Sequence, residues 1–571
     1  MKFRNTALAI AALVVAALFF SRGRDDGARR SDSRFGLNKY GLYLASYRAE
    51  IANDIFNLED IYPEAVEQNG DDFLGKSFII KAINGDSAGA LADAGKEAER
   101  NPSNTLPAIY LAYSDFINGD YAAAGKRLDA AKGKSDTFII RFLKSWVLFA
   151  EGRKEEAKKL LAAANGSRAF GKIALMHAAY QAEISGEIPL AGGFYAAAMH
   201  MKPDLSDVES AAGFFLRNGM RKKAVDIVSD FAGDLSSSVS ASSLAAAIEG
   251  GYIPPAVDDP QKGMAKALFD ISSILMRAFA FTNDLYIMYV GMSLELWPEF
   301  GMARVMQAEI FKKYGRTGQY AAALRMIPRS SYLYPLSRMN YASYLISIGS
   351  DDGKALKIYR ELLSGYPGMA VLYQNVGDYY RAKGEYKKAV GYYTDGIGRA
   401  DGKGDAGLYF SRAIAHDLSH DAARAVEDFE LAFELDPKNP VLLNYYGYFL
   451  LLDGRDIEKG RRLVERAVRL EPLNPYYIDS YAWALFKSGA VDEAMKMAEY
   501  AKAFEPKNPV IMDHLGDIYW SAGRRREAVF EWSKAKARLK DGDVNGELNG
   551  ISEYKLDRKI ERGLESEPED E

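Results

Sequence analysis

Leu435-Asp436-Pro437-Lys438-Asn439-Pro440, Leu470-Glu471-Pro472-Leu473-Asn474-Pro475 and Phe504-Glu505-Pro506-Lys507-Asn508-Pro509 are one phrase written three times, with the first prolines 35 and 34 residues apart. Each phrase punctuates a helix boundary. The first proline follows an apolar–acidic pair and stops the helix before it, because its ring removes an amide donor and clashes with the preceding turn. The Asn-Pro that follows starts the next helix. Asparagine supplies a capping oxygen, and proline at the first helical position gives up only a donor that would be orphaned anyway. A period of this length carrying two helical stretches marks stacked helical hairpins, in which added length adds repeats rather than a new core.

Between the phrases, small residues recur at fixed places. Counting from Pro509 as position 1, Gly516 is position 8, Gly523 position 15, Ala528 position 20 and Ala535 position 27. Counting from Pro475, the same places hold Ala482, Gly489, Ala494 and Ala501. The unit from Ala406 gives Ala413, Ala425 and Ala432; that from Ala370 gives Gly377, Gly384 and Ala389, with Tyr380, Tyr386 and Tyr393 at large positions. Small residues at 8, 20 and 27 let two helices nest, bulky ones at 4, 7, 11 and 24 fill the gaps, and glycine near 15 permits the turn. The N-terminal half keeps the period more loosely. Units from about Asp71, Thr105, Phe138 and Lys172 place Gly85, Gly119, Gly152 and Gly186 at the turn, with Ala90, Ala124, Ala157 and Ala191 following; others start near Ser206, Gly301 and Leu336. At several independent positions per unit the chain resembles the tetratricopeptide repeat family. The resemblance implies an all-α fold, an α-α superhelix of roughly a dozen helical hairpins in two arms.

The arms are expected at residues 71–232 and 301–540. Residues 233–300 lose register and read equally as an elbow between arms or as a diverged repeat pair. Residues 22–70 read as a linker with capping helices, and 541–571 as a helix and an acidic tail. At the N-terminus, Lys2 and Arg4 precede an unbroken apolar run from Ala7 to Phe20. Its length suits the hydrophobic region of a signal peptide and falls short of the roughly 20 residues that span a bilayer. Residues 1–21 are therefore expected to be a signal peptide or short signal anchor, placing the bulk of the chain in the periplasm or cell envelope, soluble or membrane-anchored.

Composition narrows the chemistry. With no cysteine among 571 residues there is no disulfide, no thiol nucleophile, no cysteine-held zinc and no lipid-bearing cysteine. A formal net charge of −5, with no basic stretch, gives nothing to track a phosphate backbone, so nucleic acid is not an expected partner. Tyrosine is abundant, 36 residues against 5 tryptophans, and its first use in a helical stack is packing. His416 and His420 have the i, i+4 spacing of a zinc-protease helix, but repeat register puts His420 in the turn after the helix ends. No phosphate loop or nucleophile motif appears, so neither an enzyme, nor a cofactor, nor a metal is expected.

The family resemblance implies that positions 2, 5, 9 and 12 of each first helix line a concave binding face. Read off this sequence, those places hold Gln374, Asp378 and Arg381; Phe410, Ile414 and Asp417; Asn444, Tyr448 and Leu451; Tyr476, Asp479, Trp483 and Phe486; and Asp513, Asp517 and Trp520. Carboxylates beside aromatic rings favour an extended polypeptide with basic and apolar side chains. The segments Asn474-Pro-Tyr-Tyr-Ile-Asp-Ser-Tyr-Ala-Trp-Ala-Leu-Phe486 and Asp513-His-Leu-Gly-Asp-Ile-Tyr-Trp520 are similar to bacterial envelope tetratricopeptide proteins that serve as adaptors of a carboxy-terminal processing protease. That likeness implies a protein or peptide ligand, with a processing protease and its substrates as partners. The missing lipidation cysteine departs from the subgroup. The second reading is a component of an envelope polysaccharide secretion or assembly machine.

Overall fold

The computed structural model describes residues 74–564, apart from 132–136, 166–169, 235–238, 279–284, 400–404, 453 and 541–550. The expected signal segment, the linker and capping helices, and the acidic tail from 565 onward lie outside the described residues. Among the described residues every regular element is an α-helix, 28 in all. None of them is long and apolar enough to cross a membrane.

The helix pairs fall where the punctuation put them. Ala370–Ala382 packs on Tyr386–Arg399, Ala406–Leu418 on Ala422–Leu435, Pro440–Leu452 on Ile457–Leu470, Pro475–Lys487 on Val491–Phe504, and Pro509–Ser521 on Arg525–Lys540. The three asparagines of the repeated phrase are caps: the side-chain oxygens of Asn439, Asn474 and Asn508 accept the amides of Val441, Tyr476 and Val510 at 3.1, 3.1 and 2.9 Å. The turn glycines read from the sequence, from Gly85 to Gly523, all have positive φ. His420 takes this place in the hairpin from Ala406, at φ 61°. The helix has already ended at Leu418, and His416 is buried with Nε2 3.9 Å from Asp428. The two histidines share no helical face.

Nesting depends on what is missing at position 8. A β-carbon on Gly377 would collide with the Tyr393 ring, and one on Gly516 with Trp532. In the hairpin from Pro440 two glycines face each other, so that a β-carbon on Gly447 would stand 2.9 Å from the Gly460 carbonyl oxygen, and the reverse 2.8 Å. The tyrosines are mainly mortar. Seven of the eleven largest fully buried side chains are Tyr180, Tyr195, Tyr286, Tyr289, Tyr359, Tyr393 and Tyr446, which favours packing over ligand contact for that residue type.

By contacts the chain divides into residues 1–341 and 342–571. Among the described residues the first unit opens with five hairpins, from Leu74–Asn84 with Ser87–Arg100 to Leu205–Arg217 with Arg221–Asp234. The segment expected as an elbow or a diverged repeat pair holds Val239–Glu249 and the packed pair Pro260–Ala278 and Leu285–Leu296. That pair folds back. Pro260–Ala278 packs on Thr137–Ala150 and Gly171–Ile184, and Leu285–Leu296 packs on Leu74–Asn84. Helix Leu285–Leu296 is apolar nearly all round, with Tyr286, Ile287, Met288, Tyr289 and Val290 all buried, which is why its sequence loses the one-sided pattern of a repeat helix. The following hairpin, Gly301–Lys313 with Thr317–Arg325, belongs to this unit as well, so the division falls later in the chain than the expected arm boundaries at 232 and 301.

Backbone geometry sets two opposite expectations for stability. His420→Gly should raise stability by about 0.5–1 kcal/mol, because an L-side chain in the left-handed region is strained. Gly447→Ala should lower it by about 1–3 kcal/mol, because the new methyl meets backbone that cannot step aside. Chemical denaturation followed by circular dichroism measures both; equal effects of the same sign would contradict this account of the turn and the nest.

Candidate binding face

The inner helices of the first unit meet their own chain. Lys266, buried, donates to Asp270 at 2.5 Å. The Trp146 indole N–H donates to Nδ1 of His177 at 3.0 Å, which leaves the ring proton on Nε2, 3.3 Å from the other Asp270 oxygen. Lys172 pairs with Asp207, and the Tyr113 hydroxyl donates to Glu295 at 2.5 Å. Burial raises Asp207 to about 6, helped by the neighbouring Asp204. Burial acts on Asp270 too, but Lys266 and His177 overcome it and hold that carboxyl at about 2. Burial pushes His177 below the ordinary histidine range. Pairing of this kind is what makes buried charge tolerable, and it still leaves Gln181 Oε1, His177 Nε2 and Asp270 Oδ2 without a well-formed hydrogen bond.

The residues expected at the binding face all lie in the second unit. Four of them gather around a residue the register rule passed over. His514, at position 6 of helix Pro509–Ser521, is buried. Its Nδ1 lies 2.8 Å from Asp479 Oδ2 and its Nε2 3.2 Å from the Tyr448 hydroxyl. Trp483 stacks on its ring at 4.3 Å between centroids and 20° between planes, and Phe486 leans on Trp483 at 5.2 Å. Tyr448, Asp479 and His514 come from the first helices of three successive hairpins, so one imidazole ties all three. Only its place in the quoted segment Asp513-His-Leu-Gly-Asp could have singled it out from sequence.

Asp513, Asp517 and Trp520 are held by helix Glu553–Arg562. Lys559 donates to Asp513 at 2.6 Å and to Asp517 at 2.9 Å, and Gly563 sits so close to Trp520 that a β-carbon there would strike the indole. Asp517 also accepts the Trp532 indole N–H at 2.9 Å. Further back, Asp378 pairs with Arg381 at 2.9 Å and accepts the Tyr393 hydroxyl at 2.8 Å. Gln374 donates to Ser411 at 3.3 Å, Phe410 packs edge-on against Tyr445 at 5.7 Å, and Asp417 accepts from Tyr445 at 3.4 Å. Ile414 packs into the adjoining core and Leu451 is fully buried. Tyr476 is 53% exposed.

The face is therefore less acidic than its sequence. Asp378, Asp479, Asp513 and Asp517 each have a cationic or titratable partner, and the partner of the last two comes from a helix more than forty residues downstream. On the inner helices from Pro440 to Ser521 three buried side-chain atoms have no hydrogen-bond partner, Asn444 Oδ1, Asp479 Oδ1 and Trp483 Nε1. Burial pushes His514 down, but Asp479, Asp513 and Asp517 outweigh it and the group ends above its ordinary range. Burial and Asp513 raise Asp517 to about 6, against the pull of Lys559. Burial and the same carboxylates raise the Tyr448 hydroxyl. Among the described residues no group of three or more His, Asp or Glu side chains is arranged to hold a metal ion.

No known protein-family model matches the chain. It is similar to a TPR repeat-containing protein of Pseudomonas aeruginosa, 27% identical over 113 residues, which is 20% of this chain and 19% of that one. The chain thus spans about a fifth of the length of the curated relative it matches. Among solved structures it is similar to a tetratricopeptide repeat protein from Parabacteroides merdae, 16% identical with a TM-score of 0.35, over 46% of this chain and 99% of that one. It is also similar to yeast Tom70, 12% identical with a TM-score of 0.30, over 92% and 95%.

The His514 cluster makes stability depend on pH. A folded-state pKa above the unfolded value means the native chain holds the proton longer, so the stabilisation is complete below the unfolded value of about 6.5 and is lost as pH rises through the folded one. Asp517 works in the same direction between the ordinary carboxylate range and about 6. The advantage in Tm of the parent chain over His514→Gln should therefore shrink as pH rises from about 6 to 8. A constant difference across thermal melts in that window would contradict the assignment.

Proposed function

We propose that this chain of tetratricopeptide repeats is a scaffold that binds polypeptide on the inner face of its second unit and performs no catalysis of its own. One observation carries the reading. The inner helices from Pro440 to Ser521 carry buried polar atoms without partners among the rings of Tyr448, Trp483 and Phe486, with Tyr476 exposed on the same helix as Trp483, whereas the inner helices Thr137–Ala150 and Gly171–Ile184 of the first unit are covered by the chain's own helix Pro260–Ala278. A surface of rings with a few unsatisfied donors and acceptors is what an extended peptide requires of a groove.

The finer reading concerns place and partner. The apolar run Ala7–Phe20 supports export to the envelope, and the segments Asn474–Phe486 and Asp513–Trp520 support an adaptor that delivers substrates to a processing protease. Purified chain used as bait in an envelope extract should retain such a protease. Retention of a polysaccharide secretion component instead would overturn the adaptor role, and release of reducing ends from peptidoglycan by the purified chain would overturn the non-catalytic reading.

Alanine at Trp483 or Trp520 is a poor probe of binding, since both indoles are packed against neighbours and such truncations cost about 3–5 kcal/mol when buried. Tyr476→Ala is the better one. Its ring is mostly exposed, so capture should fall about three- to tenfold with Tm unchanged; undiminished capture would remove this face from the reading.

A further inference from the structure

We infer that the ligand is read through its peptide main chain, with a ligand N–H donated to Asp479 Oδ1 and a ligand C=O accepting from Trp483 Nε1, and not through a basic side chain. This rests on the polypeptide-binding reading above and specifies the chemistry of that site.

Around Asp479 and Trp483 the groups that would hold a basic side chain are already taken. A lysine or arginine of a ligand would seek an uncompensated carboxylate or an open aromatic face. The carboxylates of the inner helices from Pro475 to Ser521 are compensated, Asp479 by His514 and Asp513 and Asp517 by Lys559; further back Asp378 is compensated by Arg381 and Asp417 accepts from Tyr445. The Trp483 ring is stacked on His514, and the Lys487 ammonium stands 5.0 Å from its centre. A second cation would add like charge to a site that already has one.

What remains is neutral in character. Asp479 is 5% exposed and Trp483 8%, yet Asp479 Oδ1 and Trp483 Nε1 have no partner. The two residues are four apart on helix Pro475–Lys487 and so share one face. One is an acceptor, the other a donor that accepts nothing. An amide group is the common chemical unit that supplies the complement of both. Asn444 Oδ1, at the equivalent register on the preceding inner helix and equally unpartnered, offers a second acceptor to a chain running across the helices. An unpartnered buried polar atom is costly, and a ligand that reaches it recovers that cost as affinity. Both atoms are closed off from solvent, so a side chain packed over them must move for the ligand to enter.

The test uses the full chain and peptides selected on it from a randomised short-peptide library, with affinities measured by fluorescence anisotropy. Replacing ligand amides one at a time by N-methyl amides should reveal at least one position that weakens binding about tenfold, the loss of one well-placed hydrogen bond. Trp483→Phe keeps a ring on His514 while removing the donor together with part of the ring system, and should cost a similar factor in affinity. Changing lysines of the peptide to norleucine, or raising salt, should change affinity less than about twofold. Peptides whose affinity resides in basic residues and falls steeply with salt would overturn the inference. So would an N-methyl scan without effect on a peptide that binds, and in both cases polypeptide binding itself would stand. Failure to select any peptide would instead remove the polypeptide-binding reading, and this inference with it. Should Trp483→Phe lower Tm, the N-methyl scan on the parent chain decides alone.

Discussion

At Gly447 and Gly460 two antiparallel helices pass with little but backbone between them, and the rest of the repeat follows from that approach. Where a hairpin lacks the second glycine, a ring from position 24 lies over the bare position 8, as Tyr393 does over Gly377 and Trp532 over Gly516. Close approach fixes the crossing of the two helices, and the crossing fixes which stripe of the first helix is left to face inward. Side chains at positions 5, 6 and 9 of successive hairpins are thereby brought into register, which is how Tyr448, Asp479 and His514 come to meet from three different helices.

A face assembled in this way is half-buried, and half-burial changes what a carboxylate is worth. An aspartate in open water needs no partner; one set between rings pays desolvation until a cation or donor reaches it. Every paired aspartate described on the inner helices reflects that pressure: Arg381, His514 and Lys559 in the second unit, and Lys172 and Lys266 in the first. The groups whose hydrogen-bonding capacity is left unfilled on the inner helices from Pro440 to Ser521 are neutral or already neutralised. The surface is polar without being strongly charged.

How much of this was legible follows the range of the interactions involved. Helix starts and turns were readable because proline, asparagine and glycine act within one or two residues: Asn439, Asn474 and Asn508 cap where expected, and the turn glycines are left-handed. The inner face was readable only in part. Register placed Tyr448, Asp479 and Trp483 side by side, but it passed over His514, whose importance comes from partners 35 and 66 residues away. The acidity of the face was overread for the same reason, because Lys559 acts on Asp513 across 46 residues. The pair Pro260–Ala278 and Leu285–Leu296 was opaque as well. A helix apolar on all sides announces burial and says nothing about where.

The inward fold of that pair gives the two halves of the chain different histories of assembly. In the second unit each hairpin leans on its predecessor, so structure can accumulate locally, repeat by repeat, as the chain emerges. The first unit cannot finish that way. Trp146, His177 and Tyr113 find their partners on residues 263–295, so the first five hairpins stay incomplete until the segment that fills them has been made. Such distant pairings raise contact order and slow the final step. The apolar inner surface of the early repeats is exposed meanwhile, which makes this half the one that depends on shielding during synthesis.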